Sequence, residues 1–160
     1  MVRLSHIYSI IFILLVYGFS YSDTHYVSLN GTNDAGGGYT TWEGASTQIQ
    51  WAVDAAANGE TVLVSNGTYF CWGIYTNISM ITTNSSVSPP TTNWPTTNTA
   101  MVVITNSITL KSLSGFYTNT VINGNFPAYT NARGIYIANT GAVLDGFTIT
   151  NCFTTNQAGA

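Results

Sequence analysis

Charge is what this sequence lacks most. Lys, Arg, Asp and Glu make up 6% of its 160 residues, against about a quarter in ordinary globular chains. Only Arg3, Lys111 and Arg133 are basic. Three scattered cations cannot form a phosphate-binding patch, so a nucleic-acid partner is excluded. Cysteine and histidine are equally scarce, with two of each. There is no CxxC, no HxxxH and no Cys/His cluster, so a structural zinc site is not expected. No cofactor is expected either.

Long hydrophobic runs are also missing, with one exception. Ile7 to Phe19 reads IYSIIFILLVYGF, behind the short positive region that Arg3 provides. These 13 residues fall short of the roughly 20 that span a bilayer. Ser20-Tyr21-Ser22 follows, with small residues at both positions a signal peptidase reads. Residues 1–22 are therefore expected to be a signal peptide, cleaved before Asp23. Export to the medium or the cell surface follows, with no membrane span after signal removal. Without Arg3, two basic residues stand against six acidic ones.

Polarity comes from hydroxyls and amides instead. Thr and Asn fill 41 of the 160 positions. Thr favours strands and Asn favours turns, a composition that suits repetitive extracellular β-structure. His25 to Leu29 alternates as a short strand. Asn30 to Thr41 is a Gly/Asn/Thr loop. In Thr47 to Ala57, Ile49, Ala52, Val53 and Ala56 form one apolar helical stripe. Ser46 or Thr47 can cap its start, and Asn58-Gly59 stops it. This is the one convincing helix.

Strand signal follows at Glu60 to Val64, ending at Asn66-Gly67. Tyr69 to Tyr75 is aromatic and ambiguous. Ser79 to Ala100, rich in Thr, Asn, Ser and Pro, reads as an insertion loop. Strands return at 101–104, 108–110, 120–122 and 135–137, and again in GAVLDGFTITNC from Gly141 to Cys152. They repeat: Ile108, Leu110 and Leu113 precede Ala142, Leu144 and Phe147 by 34 residues each, and Val103 precedes Ile137 by the same step. A fixed β-period without intervening helices points to a solenoid. Asp145-Gly146 supplies a bend between two short strands, because Gly accepts positive φ.

The passages TQIQWAVDAAANGETVLVSNGTY (47–69), ITLKSLSG and GAVLDGFTITN resemble the start of secreted right-handed parallel β-helix proteins of the pectin-lyase-like fold. The resemblance covers roughly residues 26–151. It implies an all-β right-handed parallel β-helix whose N-terminal capping α-helix closes the first coil. Residues 23–160 would be the cap and first coils, with an insertion at about 79–100. The last residues read as a loop into a further coil, so the solenoid is expected to be C-terminally incomplete.

The architecture does not fix the function. Hydrolases and lyases of this fold use clustered carboxylates, or acids with calcium and a basic residue. Here Asp23, Asp34, Glu43, Asp54, Glu60 and Asp145 are dispersed. No catalytic or metal-binding residue is assigned. His25, beside the new N-terminus, is poorly placed for a catalytic base. Asp145 and Arg133 read as a turn acid and a loop cation. Tyr69, Phe70, Trp72 and Tyr75 cluster before the insertion, and Trp94 lies within it. Large aromatic rings usually pack in cores, but exposed rings stack on sugars. Trp72, Tyr75 and Trp94 are thus the candidate carbohydrate-stacking residues, with polysaccharide or cell-envelope glycan as partner. Asn30, Asn66, Asn77 and Asn84 stand in glycosylation sequons. Cys71 and Cys152 fall two coils apart, roughly 10 Å along a β-stack, beyond the about 7 Å a disulfide tolerates. Free thiols are expected in the monomer unless the 70–100 insertion folds Cys71 upward. Two functions stand: an exported, non-catalytic scaffold, adhesin or polysaccharide-binding module, and the N-terminal part of a polysaccharide lyase or glycoside hydrolase with its site downstream.

Overall fold

The computed structural model describes residues 22–70, 75–78, 83–84, 91–92, 97–128 and 133–153. Residues 75–78, 83–84, 91–92 and 97–99 are described as backbone only. The proposed signal segment, apart from Ser22, lies outside the described residues. So do Cys71, Trp72 and Trp94.

Strands dominate, with one short helix. In chain order they are β1 (Thr24–Val27), α1 (Ile49–Ala55), β2 (Thr61–Val64), β3 (Gly67–Phe70), β4 (Tyr75–Ile78), β5 (Thr83–Asn84) and β6 (Thr91–Thr92). β7 (Thr97–Ile104), β8 (Thr109–Ser112), β9 (Thr120–Asn123), β10 (Arg133–Ile137), β11 (Val143–Asp145) and β12 (Thr148–Thr150) follow. From β7 onward the chain visits three sheets in rotation, and β5 and β6 form a separate two-stranded sheet. One sheet has the order β1-β2-β8-β11, the second β3-β9-β12, and the third β4-β7-β10. The first two are parallel throughout, and β7 and β10 are parallel as well.

The register stacks like on like. Inward positions form the columns His25–Val62–Leu110–Leu144, Tyr69–Ile122–Ile149 and Val102–Ile135. Val62, Leu110 and Ile122 are fully buried. Strand alternation puts every second residue of each short strand into this core. Outward positions include the threonine row Thr24–Thr61–Thr109. This alternation explains why Thr and Val/Ile/Leu share the strands.

The 34-residue step is right for one sheet and one residue too long for another. Leu110 pairs with Leu144 as the repeat requires. Ile137 pairs with Ile104, and Val103 with Tyr136, a step of 33. The turn after β10 is one residue longer than the turn after β7: 138–142 against 105–108. Asn139 lies in the longer turn, donates from Nδ2 to Thr105 O (3.1 Å) and accepts from Gly141 N (2.8 Å). Turns absorb such insertions, whereas a slip inside a strand would turn its apolar face outward. Leu113 is not a core position. β8 ends at Ser112, and Leu113 is 51% exposed.

The helix is shorter than its stripe, but the stripe is right: Ile49, Ala52, Val53 and Ala56 are buried. The expected Ser46 or Thr47 cap is displaced. Gln48 occupies the cap position without a side-chain capping bond, and Ser46 Oγ instead accepts from Gln48 N at 3.1 Å. Helix α1 packs against β7, β1 and β2. Its Gln50 is buried and bonds the backbone of β7. Gln50 Nε2 donates to Val103 O (3.1 Å), and Val103 N donates to Gln50 Oε1 (2.7 Å). The side-chain amide thereby stands where another strand would pair, on the stretch of β7 that β4 does not reach.

Within the 79–100 tract, β5 pairs antiparallel with β6, and the first half of β7 pairs antiparallel with β4. The described parts of the tract are therefore β-ladders rather than featureless loop. Gly146 bends the chain at φ +80, and Asn151 turns it at φ +52, as the Asp-Gly and Asn signals predict. Among the described residues, no helix is long and apolar enough to cross a membrane.

Candidate functional site

The sequence offers three kinds of candidate: acids, His25 and aromatic rings. Among the acids, the Glu60 carboxyl accepts from the Asp23 backbone N–H. Asp145 is the last residue of β11, directly across from Lys111 on β8. Its Oδ2 lies 3.7 Å from Lys111 Nζ, and both side chains are about half exposed. The residue read as a turn acid is thus a surface ion-pair partner. Arg133 begins β10 rather than lying in a loop. Among the described residues, no group of three His, Cys, Asp or Glu side chains is arranged to hold a metal.

His25 is buried, only 5% exposed, because it takes an inward position of β1. Its Nδ1 lies 2.5 Å from Gly38 O, and its Nε2 lies 2.9 Å from Glu60 Oε2. Glu60 Oε2 also accepts from Ala57 N at 2.6 Å. That backbone hydrogen bond first, and the His25 bond second, hold the Glu60 carboxyl below its usual range, against some opposing burial. The group ties β1, the Gly-rich loop and the α1–β2 turn together. With both nitrogens committed inside the protein, the ring is built for structure, not proton transfer to a substrate. Alternation in HYVSL marked a strand, the signal from which an inward His25 could have been read, but nothing in the sequence pointed to Glu60 as its partner.

Of the proposed sugar-stacking residues, Tyr75 opens β4; Trp72 and Trp94 lie outside the described residues. Their neighbours separate cleanly. Tyr69 points into the core at 3% exposure, while Phe70 is 45% exposed. Burial raises the Tyr69 phenol above its usual range, partly offset by its bond with Ser65. Phe70 lines a surface cleft of about 230 Å³ with Leu29, Thr47, Gln48, Thr68 and Tyr69. Leu29 is 50% exposed. No charged side chain lines this cleft. The signal that could have located it was the alternation in GTYF, which puts Phe70 outward. Elsewhere, Trp42 packs tilted at 48° against Tyr26 with centroids 4.5 Å apart, and Phe116 and Tyr117 project from the β8–β9 loop.

Cys152 Sγ donates to Thr150 O at 3.3 Å. Cys71 lies outside the described residues, so the expected spacing of the two cysteines falls there too. No family model, no curated protein and no solved structure matches the chain.

Proposed function

We propose that this chain is the N-terminal cap and first coils of an exported, right-handed parallel β-helix of the pectin-lyase-like kind. In this reading it is a non-catalytic surface or adhesion scaffold that holds polysaccharide or cell-envelope glycan. The observation that carries the reading is the rotation of β7 to β12 through three sheets, with β10, β11 and β12 each parallel to the strand three before it, and inward columns such as Tyr69–Ile122–Ile149. Stacked coils produce that pattern, and hairpins do not. Helix α1, with Gln50 on the edge of β7, takes the part of the cap. A rigid outward face of hydroxyls, amides and exposed rings suits glycan, whose rings combine apolar C–H faces with hydroxyls. Dispersed acids support the non-catalytic side, because glycoside hydrolysis generally needs two carboxyl groups roughly 5–10 Å apart.

The test is secreted full chain mixed with insoluble cellulose, xylan and cell-envelope glycan, and separately incubated with pectin, alginate and xylan with and without calcium. Retention on glycan without new reducing ends or unsaturated products is expected. Product formation would move the assignment to a lyase or hydrolase. Intact mass of the secreted protein should show a mature terminus at Asp23; retention of Met1 to Ser22 would refute the export signal.

A further inference from the structure

We propose that the cleft between the start of α1 and the outer side of β3 is a subsite for one uncharged sugar ring. The proposal rests on the glycan-binding reading and gives it a location other than Trp72, Tyr75 and Trp94, the stacking candidates read from the sequence. The cleft has two apolar surfaces, the Phe70 ring and the Leu29 side chain, both about half exposed. Single exposed apolar residues are ordinary, so it is the pairing of two across one cleft, with polar groups beside them, that marks a binding feature.

The polar groups are available. Gln48 makes no capping bond to the helix it precedes. The Thr68 hydroxyl has no protein partner among the described residues. Thr47 Oγ1 donates to Asn33 Oδ1 at 3.0 Å, which leaves its lone pairs open to a ligand hydroxyl. One amide that both donates and accepts, two hydroxyls and two apolar surfaces match the amphipathic faces of a pyranose. The C–H face lies on Phe70 and Leu29, and the ring hydroxyls meet Gln48, Thr68 and Thr47.

Two features narrow the ligand. The volume, about 230 Å³, lies below the range of about 300–1,000 Å³ for drug-sized ligands, so it holds a single ring of a longer chain. The lining carries no Lys, Arg, Asp or Glu. A uronate carboxylate would therefore lose water without gaining a cation, which selects neutral residues such as hexose or xylose units.

The experiment is titration of the folded full chain with cellohexaose, xylohexaose and hexagalacturonate, read by calorimetry and saturation-transfer NMR. Phe70→Ala, Gln48→Ala, Trp72→Ala and Trp94→Ala are compared with wild type. Thermal melts establish that each variant is folded. Phe70 is exposed and Gln48 makes no capping bond, so both variants should melt near wild type. A neutral hexasaccharide is expected to bind, with affinity reduced roughly tenfold by Phe70→Ala, a loss of ring stacking, and also reduced by Gln48→Ala. Neutral-glycan binding that survives both changes but disappears in Trp72→Ala or Trp94→Ala would overturn the cleft and leave the glycan reading intact. Preference for hexagalacturonate would overturn the neutral class. Folded wild-type protein that retains none of the soluble or insoluble glycans would overturn both.

Discussion

His25 and Glu60 show how a single inward position organises its surroundings. The ring joins β1 to the Gly38 carbonyl, while Glu60 joins the ring to the amide of Ala57. His25→Ala leaves the part-buried Gly38 carbonyl and the Glu60 carboxylate without their ring partner. A loss of about 1–3 kcal/mol is expected, read by urea denaturation. Acid should act on the same group. The folded-state carboxyl of Glu60 is held below its ordinary value of 4.5. Its contribution is therefore full above that value and is lost as pH falls through the lower, folded one. The Tm should decline on acidification below about pH 4.5, and more gently in Glu60→Gln than in wild type; equal slopes would remove Glu60 from the acid response. Lys111 and Asp145 illustrate the opposite case, an exposed pair of the kind worth little. The sequence could separate inward from outward residues because strand alternation is local. It could not pair His25 with Glu60, because that contact spans 35 residues and depends on register.

At the level of elements, α1 and the turns differ in how much local pattern reveals. The buried stripe of α1 was plain from its 3.6-residue period. The role of Gln50 was not, since a polar residue beside an apolar stripe ordinarily faces water. Its function becomes visible only against the unpaired stretch of β7, where its amide answers both backbone groups of Val103. Gln50→Leu keeps helix propensity and adds apolar bulk, yet should destabilise by about 1–3 kcal/mol because Val103 N–H and C=O are left buried and unpaired. Equal stability of the two proteins in urea would show that the amide does not close this edge. The one-residue difference between the turns at 105–108 and 138–142 escaped the repeat for a related reason. Matching apolar residues at a constant step assumes equal turns, and turns are where length varies most freely. The cleft beside Phe70 is also an element-scale feature: it needs α1, the segment after β1 and β3 brought together, which no window of sequence contains.

Across the whole molecule, burial changes along each inward column. Tyr69 is 3% exposed and Ile122 fully buried, but Ile149, next in register, is 45% exposed. Leu110 is fully buried and Leu144 only partly so. The cause is stacking itself: a residue in a middle strand has like residues on both sides, and one in the last described strand has them on one. Chemically identical truncations should therefore differ by position. Ile122→Ala removes fully packed methyl groups and opens a cavity, costing about 2–5 kcal/mol. Ile149→Ala removes a side chain that water already reaches, so its cost should be less than half as large, about 1–2 kcal/mol at most. Gly134 lies beside this residue: a Cβ placed there would come 2.3 Å from Ile149 Cγ2, so it is the bare glycine that leaves room for the Ile149 side chain. Urea midpoints of the two single variants and of the Ile122→Ala/Ile149→Ala pair decide the matter. A large cost at Ile122 with a small one at Ile149 supports columns that gain their stability from neighbours on both sides. Equal costs would mean that Ile149 is as fully packed in solution as Ile122, and that the column continues past β12.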